Sequence, residues 1–108
     1  MLTACVPSSG PLAFQPKSDA GYDALLSGTL RIEGACVWVE AEGADYIPVF
    51  RIGDARMEAG ELVYSGRYGD GETVEIPGGE TAGAGEGWYI PSGCPDLPLW
   101  DAAPQYEA

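Results

Sequence analysis

Sixteen glycines and nine prolines interrupt this chain of 108 residues so often that no stretch carries an apolar face at helical spacing through three turns. Between the interruptions, apolar and polar residues alternate at the period of a half-buried strand. In the clearest instance Leu26, Gly28, Leu30 and Ile32 share one face, and Ser27, Thr29, Arg31 and Glu33 share the other. Gly34 then predicts a turn. Cys36-Val37-Trp38-Val39-Glu40 is partly apolar on both faces, as a central strand requires. Tyr46-Ile47-Pro48-Val49-Phe50 is a third apolar run, and Pro48, which has no amide hydrogen to donate, predicts an edge position or a bulge.

A second group of strands is expected beyond the looser segment 51–60. Glu61-Leu62-Val63-Tyr64 is short, and Ser65-Gly66 and Gly69-Asp70-Gly71 predict tight turns around Arg67-Tyr68. Glu72, Val74 and Ile76 then alternate with Thr73 and Glu75 until Pro77-Gly78-Gly79 breaks the run. The stretch from Glu80 to Gly87 reads as a flexible loop, and Trp88-Tyr89-Ile90 and Leu97-Pro98-Leu99-Trp100 read as short closing strands. Five or six short strands, the first containing a glycine that lets it coil, predict an all-β domain: a small five- to six-stranded OB-like barrel, favoured over a compact sandwich. The barrel domain is expected over 21–101, with a flexible tether over 1–20 and a loose tail over 102–108. About 80 residues make a small core, marginal without a staple.

Three cysteines bear on that staple. Leu2-Thr3-Ala4-Cys5 resembles the lipobox of bacterial lipoproteins, in which the cysteine is diacylated and becomes the new N-terminus. The resemblance implies export and a lipid anchor at Cys5. The basic and apolar regions of a full signal do not stand before the box, and a box followed directly by Val6-Pro7-Ser8-Ser9-Gly10-Pro11 is the pattern of a cleaved lipoprotein and its tether. Lipidation of Cys5 leaves Cys36 and Cys94 as an even pair, and a bridge between them contributes about 4 kcal/mol in the loop-entropy model. The other reading keeps both thiols reduced in a cytosolic chain. Zinc is disfavoured, because the chain has no closely spaced cysteine pair and no histidine.

Seventeen acidic residues against five basic ones give a net charge of −12, which repels phosphate backbones and anionic lipid surfaces. Nucleic acid is therefore not an expected partner, and a membrane is expected only through the lipid anchor. Without histidine, Ser-His and Cys-His catalysis are excluded. The glycine-rich run from Gly78 to Gly87 lacks the Lys-Ser/Thr ending of a phosphate loop. Asp70, Glu72 and Asp54 offer carboxylates near a glycine turn, but not at the spacing of a calcium loop, and a solvated turn is the preferred reading. No cofactor and no metal are expected.

The succession Leu-Ser-Gly-Thr-Leu (26–30), Gly-Ala-Cys-Val-Trp-Val (34–39), Tyr-Ile-Pro-Val-Phe (46–50), Gly-Asp-Gly-Glu-Thr-Val-Glu-Ile-Pro-Gly-Gly (69–79) and a late Cys94 resembles a group of small secreted or lipid-anchored β proteins of high-GC Gram-positive bacteria. That resemblance implies an exported barrel and a Cys36–Cys94 pairing, and it carries over no catalytic residue. Trp38, Tyr46, Tyr64, Tyr68, Trp88 and Tyr89 are more aromatics than one face of a small barrel needs. They predict either a surface platform for sugars or a protein partner, or a core in which Trp38 packs on the bridge and the others fill the barrel. The expected function is that of a non-enzymatic, exported binding or accessory module of the cell envelope, with an envelope polymer or a protein as partner. The alternatives are a carboxylate-dependent hydrolase of cell-wall glycans and a structural subunit of a phage or cell surface, the latter marked by an exposed apolar patch or an open edge at Tyr46–Phe50.

Overall fold

The computed structural model describes residues 9–17 and 23–104. Cys5 and the rest of the lipobox-like segment 2–5 lie outside the described residues. Among the described residues nine strands run in chain order: β1 (Ala13–Gln15), β2 (Ala24–Glu33), β3 (Cys36–Ala41), β4 (Ala44–Arg51), β5 (Arg56–Glu58), β6 (Glu61–Val63), β7 (Arg67–Tyr68), β8 (Thr73–Thr81) and β9 (Leu99–Ala102). β2, β3 and β4 form an antiparallel meander, β8 returns antiparallel to β2, and β9 pairs antiparallel with β8 and parallel with β4. The last pairing closes a five-stranded barrel with the Greek-key connectivity of the OB kind, as the strand pattern predicts.

β2 belongs to both halves of the barrel. Residues 24–29 pair with β8 and residues 29–33 with β3, so the strand must coil sharply at its middle. Gly28 stands at that point, and a Cβ there would run into the Glu40 carbonyl oxygen. The absence of a side chain is what lets the two strands approach so closely. The turn after β7 then extends the β2–β8 pairing. Leu30 N donates to Glu72 O at 2.8 Å, Gly71 N donates to Leu30 O at 2.7 Å, and the Asp70 carboxylate accepts from Ile32 N at 2.7 Å.

Pro48 lies in the interior of the sheet, and no edge is found there. β4 has β9 on one side, while on the other side pairing with β3 reaches only as far as Tyr46, opposite Val39, and pairing with β1 begins at Val49. Ile47 N donates to Pro98 O on the β9 side. Since successive amides alternate sides, the Pro48 nitrogen points into the handover between β3 and β1, where no ladder bond is lost.

β1 corrects the expectation of a flexible tether reaching residue 20. Leu12, Ala13 and Gln15 are buried, and β1 runs parallel to β4 in the gap left as β3 and β4 diverge, with Val37 N donating to Pro11 O at its entrance. The expected loose tail over 102–108 is corrected at its start, because Asp101 and Ala102 complete β9 and Ala103 N donates to Pro77 O.

Two apolar clusters follow from strand alternation. The barrel interior holds Leu26, Leu30, Val37, Val39, Phe50 and Ile76 with Trp100, and the antiparallel sheet β5-β6-β7 closes one end of it with Leu62 and Tyr64. The opposite faces of the same strands make a second, outer cluster of Ala13, Ile47, Val49 and Leu99. Trp38, Trp88, Ile90, Cys94 and Leu97 cover it. The doubly apolar character of β3 and β4 is explained by this outer layer, since the segment between β8 and β9 folds back over them.

Candidate functional site

Three kinds of contact hold that covering segment. Cys94 is joined to Cys36, 58 positions earlier at the start of β3, by a disulfide with Cα atoms 4.8 Å apart. Phe14 and Tyr89 exchange two backbone hydrogen bonds, of 3.0 and 2.8 Å. Gly93 lies so close to the Ala35 side chain that a Cβ would overlap it. The bridge accords with an oxidising compartment outside the cytosol.

Between this segment and the barrel runs an open groove of about 780 Å³. Ile47 of β4, Glu80 and Thr81 of β8, Leu99 of β9, residues 82–84 and much of 90–98 line it. Its floor is the outer cluster, because Ile47, Ile90, Cys94, Leu97 and Leu99 belong to both. Three prolines, Pro91, Pro95 and Pro98, stiffen the far wall, and Cys94 N donates to Pro91 O at 3.1 Å. The volume lies within the range of ordinary ligand sites, about 300 to 1,000 Å³.

At the rim, Glu80 is oriented by its neighbour. Tyr46 Oη donates to Glu80 Oε1 at 3.2 Å, while the Tyr46 ring stands edge-on against Trp100, centroids 5.6 Å apart. Burial first, and the Glu80 carboxylate second, push the Tyr46 phenol above its ordinary pKa. Trp100 is itself anchored, its Nε1 donating to Ile76 O at 3.1 Å.

The six aromatics, for which the sequence allows either a surface platform or core packing, are dispersed. Tyr64 is buried in the barrel interior against Phe50, centroids 4.9 Å apart, so it belongs to no surface platform. Tyr68 packs on the same interior cluster from β7. Trp38 and Trp88 are half-buried over the outer cluster. The Tyr89 hydroxyl donates to Gly10 O at 2.8 Å and ties the chain entering β1 to the covering segment. Of these six, Tyr46 touches a groove residue through its hydrogen bond to Glu80, and none of the six is among the described residues that line the groove. Of the two cysteines, Cys36 is buried and Cys94 lines the groove.

The acidic turn at Asp70 is occupied by the fold: its carboxylate accepts from Ile32 N and lies 3.5 Å from Arg31 Nε, while Glu72 accepts from Gly69 N. Among the described residues no three metal-ligating side chains cluster. The groove itself was missed by sequence reasoning, which read 80–87 as a flexible loop. The available signal was the repeated proline of 91–98 around a cysteine, the composition of a stiff, tethered segment.

Comparison with known protein families, with characterised proteins and with solved structures finds no match.

Proposed function

We propose that this protein is a non-enzymatic, exported binding module that works at the cell envelope, tethered by a lipid on Cys5, and that its ligand lies in the groove between the 82–98 segment and the barrel. The observation that carries the reading is the construction of the groove. A rigid wall, fixed to β3 by the Cys36–Cys94 bridge, stands over a floor of apolar side chains, as a preformed ligand site requires. Its position on the outer side of the third and last barrel strands, beside the loop joining the last two, is near where OB-like barrels hold extended oligomers, which supports the reading by fold analogy alone.

A binding role is favoured over glycan hydrolysis by the state of the acids. The groove is lined by two carboxylates, Glu80 and Asp96, and Glu80 already accepts a hydrogen bond from Tyr46. A structural-subunit role loses its expected mark, since β4 is flanked on both sides and Leu25 is the one large apolar side chain that is exposed among the described residues.

The test is an amide chemical-shift titration of the oxidised full chain with soluble envelope fragments, glycan and peptide, together with intact mass of the protein recovered from its host. Shifts confined to residues 80–84 and 90–99 without turnover of the fragment, and a diacylglycerol mass on Cys5, are expected. Cleaved fragments, or shifts spread over another face, would overturn the binding reading, and an unmodified Cys5 would overturn the anchor.

A further inference from the structure

We infer that the groove takes an extended peptide segment bearing lysine or arginine beside proline or aliphatic residues, presented by a partner protein; this rests on the groove being the ligand site. Charge is the first argument. Among the described residues Glu80 and Asp96 are the only charged side chains in the lining, both are acidic and both are exposed, and they sit on a chain of net charge −12. A cationic segment is drawn in by the field of the whole protein and meets carboxylates at the rim, whereas an anionic polymer is repelled from both. The Tyr46 hydroxyl bond holds Glu80 in place for that contact.

The lining chemistry is the second argument. Ile47, Ile90, Leu97 and Leu99 with three prolines make an aliphatic surface that contains no aromatic ring. Sugars are typically gripped by a ring face and by many hydrogen bonds, and in this groove the side-chain hydroxyls are those of Thr81 and Ser92, with the Thr81 hydroxyl already donating to Gly83 O. The tryptophans that would serve a saccharide are spent covering the outer cluster. Proline and aliphatic side chains of a peptide bury well on such a floor, and their short, stiff segments lose little entropy on binding.

The intact, oxidised protein is panned against a displayed library of random dodecapeptides, and enriched peptides are remeasured by fluorescence anisotropy. The comparison is with the Glu80→Gln/Asp96→Asn double variant, whose fold is checked by circular dichroism. Enrichment of Lys or Arg next to Pro, Leu, Ile or Val is expected. Affinity should fall about threefold to tenfold in the double variant, and similarly between about 50 and 500 mM salt. Enriched peptides without basic residues, or binding indifferent to both carboxylates, overturn the inference. If no peptide is enriched while a β-1,4-linked N-acetylglucosamine tetramer shifts the groove amides, the peptide inference fails and the groove remains a ligand site. If neither probe perturbs the groove, both readings fail.

Discussion

Arg51 Nη2 lies 3.2 Å from Asp101 Oδ1, and the same oxygen accepts from Gln15 Nε2 at 2.8 Å, so one carboxylate of β9 joins β4 and β1 where the barrel closes. The Arg51 side chain is 5% exposed and that of Asp101 15%, so solvent barely screens this ion pair, whereas the pairs made by Arg31, Arg56 and Arg67 lie open to water. Gln15 Nε2 also donates to Val49 O at 3.0 Å, completing the link across strands distant in sequence.

Removing the carboxylate should therefore be costly. Asp101→Ala leaves a buried guanidinium without that counter-charge, and a loss of about 3 kcal/mol is expected from urea denaturation. Adding Arg51→Met should recover part of it, so that the double variant is more stable than the two single losses added together. An additive double-mutant cycle would show the pair to be uncoupled.

The bridge is expected to stabilise the whole domain and to shape the groove. Cys36→Ser/Cys94→Ser should lower stability by about 4 kcal/mol in the loop-entropy model. It should also shift tryptophan emission to the red, since Trp88 and Trp38 lie over the same cluster as Cys94. An unchanged emission spectrum in the still-folded variant would mean that the 82–98 segment is held by its backbone bonds and packing alone.

Gly28→Ala places a methyl group against the Glu40 carbonyl, at the coil of β2. Overpacking of this kind costs about 1 to 3 kcal/mol, and at this position the obstacle is backbone, so the upper end is expected in thermal unfolding. Gly83→Ala is the control, because a Cβ at Gly83 meets nothing within 4 Å and φ there is not left-handed. Equal losses in the two variants would refute the close-approach argument.

The Tyr46 phenol should ionise later than an ordinary tyrosine as pH rises, because burial and then the Glu80 carboxylate disfavour the phenolate. The sign follows from linkage. A folded-state pKa raised above the unfolded value of about 10 adds stability that is present below that value and is lost as pH climbs through the folded pKa. Absorbance titration near the tyrosinate band should show a late-ionising component that Glu80→Gln moves earlier while keeping the hydrogen-bond acceptor.

At the acid end, Glu58 is held below the usual carboxylate range by hydrogen bonds first from Arg67 and then from Arg56 on the β5-β6-β7 sheet. Its contribution is present above the ordinary carboxylate pKa and is lost as pH falls through the lowered one. A carboxyl carbon titration by NMR should find Glu58 lower in pKa, and Arg67→Gln should bring it back toward the ordinary value.

The alternation of Leu26, Leu30, Val37, Val39, Val74 and Ile76 was enough to reveal strands and their core faces, because side-chain direction in a strand is a local property with a period of two. Turn glycines and the cysteine count likewise spoke for short strands and a staple. What lay beyond local pattern was every feature made by segments that meet from far along the chain. Pro48 looked like an edge residue, and the handover from β3 to β1 made it an interior one. Ala13–Gln15 looked like tether, yet the gap between diverging β3 and β4 recruited it as a strand. The six aromatics were open to a surface or a core reading, and packing divided them, Tyr64 inward and Trp38 and Trp88 outward. The groove itself arose where β4 and β9 pair in parallel and the bridge folds the intervening chain over them. Burial of a residue there depends on which distant strand becomes its neighbour, and a one-dimensional pattern carries no record of that choice.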